Sequence, residues 1–161
     1  MNGQLTPIPA PVSLVEIRSN SEMYPRLCRI ARPFALRDLA VIISKALLYR
    51  GQDAEAEKVS FIASSLYDEL MADEQGLGLQ YITMEEISRV VRRASLDKDT
   101  FGISVATLYS AICTFAKGEG DAAQREADNN KKEADKALVQ EHYGNAIDRL
   151  AEKFTSTHKI K

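Results

Sequence analysis

From Pro33 onward, apolar side chains recur every three or four positions, the period of an amphipathic α-helix. Four such stretches begin near Pro33, Asp53, Thr83 and Ser104, and a fifth apolar face returns close to the C-terminus. No alternating pattern with an Asn-Gly turn marks a β-hairpin. The pattern predicts an all-α protein with four main helices and a long C-terminal helix.

The first two helices are predicted by their apolar stripes and by the glycines that follow them. Gly51 is expected to end the first helix, and Gly76 with Gly78 the second, which spans about Asp53 to Glu74. The stripe of the first helix comprises Leu36, Leu39, Ala40, Ile43 and Leu47. The stripe of the second comprises Val59, Ile62, Ala63, Leu66, Tyr67 and Leu70.

The third and fourth helices carry start signals. Thr83 is followed three residues later by Glu86, the capping-box pattern, and Ser104 is a cap for the fourth helix. A loop from Ser95 to Ile103 separates them, with Gly102 as its pivot. The third helix has the apolar face Ile87, Val90, Val91 and Ala94, and the fourth has Leu108, Ala111, Ile112 and Phe115. Gly118 and Gly120 are expected to end the fourth helix.

Proline dominates the N-terminus. Pro7, Pro9 and Pro11 restrict φ and remove backbone donors, so this stretch is predicted to be an extended arm. Residues 12–17 are expected to form a short strand or an extended strap, and residues 26–32 leave room for two helical turns. The predicted organisation is an arm over 1–33, a helical domain over 34–118 and a charged C-terminal helix over 119–161.

Composition agrees with one globular domain. The 161 residues are 45% apolar and 27% charged, and no signal peptide or apolar run near the ~20 residues of a membrane span is present. Cys28 and Cys113 stand among apolar neighbours, which favours two buried thiols in a reducing compartment. We therefore expect a cytoplasmic protein with no membrane partner.

The net charge of −2 hides an uneven distribution. Residues 1–50 contain seven Lys/Arg against three Asp/Glu, whereas residues 51–80 contain one against seven. A local basic surface can attract an anion despite the acidic total. Alternatively, the basic segment packs beside the acidic second helix of the same chain.

Signatures of catalysis are missing. No phosphate-binding loop is present, and Gly76-Leu77-Gly78 lacks the third glycine and the preceding strand of a dinucleotide site. The two histidines, His142 and His158, have no zinc-ligand spacing. We expect a non-enzymatic protein with no catalytic residues, metal site or cofactor.

The stretch Thr83 to Phe115 has the outline of a helix-turn-helix, a DNA-binding unit. The third helix supplies Arg89, Arg92 and Arg93 for phosphates, and the fourth supplies Thr107 and Tyr109. Two features oppose this interpretation. The loop of about nine residues exceeds the usual 3–4, and the second helix has no Arg, Lys, Asn or Gln, the best readers of base edges, before Lys117.

Three segments of this stretch also resemble small helical proteins of bacterial phages and mobile elements. These segments are Ile82-Thr83-Met84-Glu85-Glu86-Ile87, Arg92-Arg93, and Phe101-Gly102-Ile103-Ser104-Val105-Ala106-Thr107-Leu108. Some members of that group are replication accessories or helicase loaders. The resemblance covers about 35 residues, and Cys113, Thr114 and Phe115 stand where such proteins often carry Trp and basic residues. It implies an accessory role in DNA replication or transcription, through protein contacts and weak DNA contact.

The C-terminal helix is the second candidate for function. Its apolar face comprises Tyr143, Ile147, Leu150 and Phe154. Such a face can bind a protein partner or a second copy of the chain, or it can return to the chain's own core. The alternative to the DNA-related role is therefore an interaction or structural module that oligomerises through this helix.

Overall fold

The computed structural model describes residues 12–98 and 102–157. Within these ranges the chain is all-α and has no β-strand, with an isolated antiparallel bridge between Arg26 and Thr83. Its α-helices are α1 (Leu14–Ser19), α2 (Arg32–Tyr49), α3 (Ala56–Ala72), α4 (Met84–Leu96), α5 (Val105–Phe115) and α6 (Asp121–Thr157). Short 3-10 turns lie at Leu27–Arg29 and Leu79–Tyr81, and a π-helical turn spans Ala116–Gly120.

Helices α2 to α5 enclose one core. Helix α2 packs against α3 and α4, and α5 packs against the same two helices. The predicted stripes supply this core, with Leu39, Ile43, Leu66, Ile87 and Leu108 among the side chains of zero exposure. The sequence prediction of four main helices around a shared core is confirmed.

The start signals predicted for α4 and α5 are confirmed, and so are the glycines predicted to end α2 and α3. Thr83 and Ser104 each form a capping box with the residue three positions later, Glu86 and Thr107 respectively. The glycines of the turns after α2, α3 and α4 have positive φ, which glycine adopts without steric cost: Gly51, Gly76, Gly78 and Gly102.

The end predicted for the fourth helix is wrong. Gly118 and Gly120 do not take positive φ, and the chain continues from α5 through the π-helical turn directly into α6. Ala116 at φ −60° and ψ −41° and Asp121 at φ −68° and ψ −41° both have helical backbone. A π-helical turn contains one more residue per hydrogen-bonded ring than an α-helical turn, so the buried face shifts around the axis. Helices α5 and α6 therefore form one continuous helix with a local bulge.

The strand or strap expected at residues 12–17 is also wrong. Leu14–Ser19 is a helical turn capped by Ser13, and Ile17 is fully buried. Helix α1 packs against the start of α6, where Ala123 and Ala127 are buried. The first two turns of α6 therefore belong to the packed body, and the prolines of the predicted arm lie outside the described residues.

Cysteine placement differs from the prediction at one position. Cys113 is buried, but Cys28 is exposed because its neighbour Leu27 takes the buried position of the 3-10 turn. Across the described residues, no helix combines the length and apolarity that crossing a membrane requires.

Candidate functional site

The three arginines of α4 that are predicted to bind phosphate have side chains in different environments. Arg89 donates from Nε to Glu85 Oε1 one turn earlier, at 3.1 Å, and its side chain is 31% exposed. An i,i+4 pair of this kind supports the helix. The positive charge of Arg89 is thereby balanced by Glu85 within α4.

Arg93 is paired across the fold. Its two terminal nitrogens donate to both carboxylate oxygens of Glu119 in the π-helical turn, at 2.5 and 3.2 Å. The hydrogen bond and the charge of Glu119 raise the pKa of Arg93, and the hydrogen bond from Arg93 lowers the pKa of Glu119. This fork-to-fork pair ties the end of α4 to the turn between α5 and α6.

The Arg93–Glu119 pair stands beside an open groove of about 470 Å³ between α4 and α5. Its floor is apolar, with Val90, Ala111 and Phe115, while Thr107 and Asp97 also line it. The groove therefore brings two of the predicted site residues, Arg93 and Thr107, to one surface.

The hydroxyl of Thr107 is engaged locally. Its Oγ1 accepts from the Ser104 N–H at 2.9 Å, and lies 3.0 Å from the Ser104 carbonyl oxygen and 3.2 Å from that of Gly102. These contacts close the capping box of α5. The side chain predicted to contact DNA is thus part of the start of the helix.

Tyr109 lies on a different side of α5. It packs against the core. Burial is the main cause that raises the pKa of its phenol, and a hydrogen bond with Cys113 is the second. The charges of Glu69 and Asp73, at the end of α3, raise this pKa further. Tyr109 therefore faces α3, away from the arginines of α4.

Arg92 lies on yet another surface, in a notch between α2 and α4. The notch has a volume of about 160 Å³ and is also lined by Ile42, Lys45, Ala46, Tyr49 and Ser88. Sequence analysis missed Lys45, Tyr49 and Ser88. These residues meet Arg92 only because α2 packs against α4, and no local sequence pattern predicts which helices pack together.

Four of the five predicted residues are therefore divided among three surfaces, and the fifth, Arg89, is paired within α4. The exposed row along α5 consists of Ala106, Ser110 and Thr114, which carry no charge. Phosphate contacts need cations beside the helix that enters the groove, and here Arg93, which lines the groove along α5, is paired with Glu119. The structure does not assemble the five predicted residues into one interface.

Arginines of the basic N-terminal segment are used inside the fold. Arg18 pairs with Glu86 at 2.6 Å, and Arg32 pairs with Asp68 of the acidic helix α3 at 2.9 Å. Arg26 lies over the ring of Tyr81, 5.8 Å from its centroid. The contact of Arg32 with α3 agrees with the alternative interpretation, in which the basic segment packs beside the acidic second helix of the same chain.

The C-terminal candidate surface is exposed. Tyr143, Ile147 and Leu150 are 66%, 63% and 56% exposed, so they do not return to the core of this chain. From Asp128 onward, every side chain that the structure describes is exposed. Phe154 lies within α6, and its side chain is outside the described part.

No group of three or more His, Cys, Asp or Glu side chains converges as a metal site among the described residues. His142, the histidine within those ranges, is exposed on α6.

No protein-family model, curated protein or solved structure matches the chain. The resemblance to replication accessories of phages and mobile elements stays a prediction.

Proposed function

We propose that this chain is a non-enzymatic assembly module that associates with a second copy of itself through α6. The observation that carries the proposal is the exposure of Tyr143, Ile147 and Leu150 on a helix that has left the packed body. Helix α6 has 37 residues, about 55 Å at 1.5 Å per residue, and the last 30 residues extend beyond the core.

An isolated helix with these side chains facing water lacks the tertiary packing that normally stabilises helices. Tyr143, Ile147, Leu150 and Phe154 follow spacings of four, three and four residues, the a/d pattern of a coiled-coil seam. A partner helix laid along this seam would remove the large side chains from water, and burial of apolar surface drives association.

Charge favours an identical copy as the partner. When Tyr143 and Leu150 occupy d positions, the residues at a, d, e and g between 137 and 151 are all uncharged: Ala137, Val139, Gln140, Tyr143, Gly144, Ala146, Ile147, Leu150 and Ala151. Charged residues such as Glu141, Asp148 and Arg149 fall on outer positions. Between residues 137 and 151, two copies therefore meet no like charge along the seam, and the small residues at e and g in this stretch allow close approach.

The test is the mass of the full-length chain in solution, measured by sedimentation equilibrium between about 5 and 200 µM. The informative variant is Ile147→Asp, which places a charge in the seam. The matched control is Asn145→Asp, which adds the same charge two residues away at an outer position. We expect a dimer or higher oligomer for the wild type and the control, and a monomer for Ile147→Asp.

A wild type that remains monomeric over this range would overturn the proposal. An oligomer that persists in Ile147→Asp would place the interface elsewhere and would overturn it as well. Circular dichroism of each variant separates loss of association from loss of helix in the monomer.

A further inference from the structure

The notch between α2 and α4 is lined by one cation from each helix, Lys45 and Arg92. Lys45 and Tyr49 lie one turn apart on α2, and Ser88 and Arg92 lie one turn apart on α4. The two rows face one another across the notch of about 160 Å³, the volume of about five water molecules in the liquid. Ile42 and Ala46 complete the lining.

Among the residues that the structure describes, no carboxylate lines this notch. The acidic residue nearest on the α4 row, Glu85, is paired with Arg89, and the one on the α2 row, Asp38, is paired with Arg37 at 3.1 Å. Neighbouring negative charges are thus already balanced by other arginines. The positive charges of Lys45 and Arg92 remain for a ligand.

We infer that the notch binds a phosphate group. The guanidinium of Arg92 can donate two parallel hydrogen bonds to a pair of oxygens, and the Lys45 ammonium is a compact point charge. The hydroxyls of Tyr49 and Ser88 add two neutral donors. A phosphate, with at least one full charge and several acceptor oxygens, uses all four groups, whereas a carboxylate has one charge and two oxygens.

The phosphate can come from a nucleic-acid backbone or from free inorganic phosphate. Around the notch, α2 exposes Tyr49 and Leu48, with 59% and 66% of their surface accessible. An exposed aromatic ring beside cations is the arrangement on which bases of single strands stack. This site lies on α2 and α4, and none of its lining residues belongs to the seam on α6.

The experiment uses the full chain and two probes. Inorganic phosphate is titrated at constant ionic strength while the amide signals of Ser88 and Arg92 are followed by NMR. A fluorescent single-stranded DNA of about 20 nucleotides is titrated by anisotropy at low salt. The variants are Arg92→Gln and Lys45→Gln, and the matched control is Lys58→Gln, which removes the same charge from the first turn of α3.

Loss of a charge-assisted hydrogen bond predicts at least about a tenfold loss of affinity for Arg92→Gln and Lys45→Gln. The control should stay within about twofold of the wild type. Because all three positions are exposed, folding should be retained, and circular dichroism verifies it.

Three outcomes support the inference and identify the source of the phosphate. Binding of phosphate alone, lost in both notch variants, indicates a free-phosphate site. Binding of DNA alone, with the same losses, indicates a nucleic-acid contact, and binding of both with mutual competition indicates a backbone phosphate in this notch. The inference is overturned if neither probe binds, or if the notch variants bind like Lys58→Gln.

Discussion

Arg18 on α1 donates from Nε to Oε1 of Glu86 on α4 at 2.6 Å, and both side chains are largely removed from solvent, with 13% and 0% exposure. The second carboxylate oxygen of Glu86 accepts from the backbone N–H and the hydroxyl of Thr83. Arg18 also donates to Gln124 of α6 at 3.3 Å. One buried carboxylate thus joins the capping box of α4 to the helix that packs on α6.

Removing Arg18 should therefore destabilise the fold strongly. Arg18→Met leaves the Glu86 carboxylate buried without its counter-charge, and breaking such a pair costs about 3–5 kcal/mol. Urea denaturation should show this loss in the free energy of unfolding. Arg37→Met is the matched control, because Arg37 pairs with Asp38 at the surface, where an ion pair contributes about 0–1 kcal/mol.

Equal losses in Arg18→Met and Arg37→Met would contradict the role assigned to the buried pair. In the double variant Arg18→Met/Glu86→Gln, we expect less destabilisation than the sum of the single changes, because the unpaired charge is gone.

The two glycines of the π-helical turn should respond in opposite ways to alanine. A Cβ at Gly120 would lie 3.0 Å from the Arg18 guanidinium, 3.1 Å from the Phe115 ring and 3.3 Å from the Phe115 carbonyl oxygen. A Cβ at Gly118 would meet nothing within 4 Å. Thermal unfolding should show Gly118→Ala stabilised, by up to about 1 kcal/mol from helix propensity, and Gly120→Ala destabilised.

Both substitutions remove the same backbone freedom, so the comparison isolates the close approach of Arg18 and Phe115. Stabilisation of both variants to the same extent would show that this approach does not restrict residue 120.

The Arg93–Glu119 pair should give a small dependence of stability on pH. The pKa of Glu119 in the folded state is lowered by the hydrogen bond from Arg93. The pair therefore contributes its full share to the free energy of unfolding at pH values above the ordinary pKa of glutamate, about 4.3. This contribution is lost as the pH falls through the lower pKa that Glu119 has in the folded state.

Both side chains are more than half exposed, so solvent screening limits the contribution to about 1 kcal/mol or less. The measurement is the free energy of unfolding of the wild type minus that of Glu119→Gln, recorded from pH 7 down to pH 3. The difference should shrink below about pH 4. A difference that grows on acidification would contradict the direction of the pKa change.

The two thiols should differ in reactivity. Cys28 is exposed and Cys113 is buried against Tyr109. Brief alkylation of the native chain, read by peptide mass spectrometry, should label Cys28 and leave Cys113 unmodified until denaturant is added. Native labelling of Cys113 at the rate of Cys28 would be incompatible with the packing of α5.

The apolar periodicity of the sequence was enough to predict the all-α class and the core faces of α2 to α5. Each stripe is a local property of one helix, and Leu39, Leu66, Ile87 and Leu108 are buried as expected. The caps at Thr83 and Ser104 were equally readable, because the capping box lies within four consecutive residues.

Properties that depend on two segments distant in sequence were decided by the tertiary structure. Gly118 and Gly120 are typical helix terminators, yet the backbone continues through them as a π-helical turn. Arg18, about 100 positions earlier, lies 3.0 Å from where a Cβ at Gly120 would stand, a contact that no local pattern reports. The ion-pair partners of the arginines could not be predicted from the sequence either. Glu86 lies 68 positions from Arg18, and Glu119 lies 26 positions from Arg93. Ion pairing is a contact in space, whereas the pattern along a chain reports the faces of single helices.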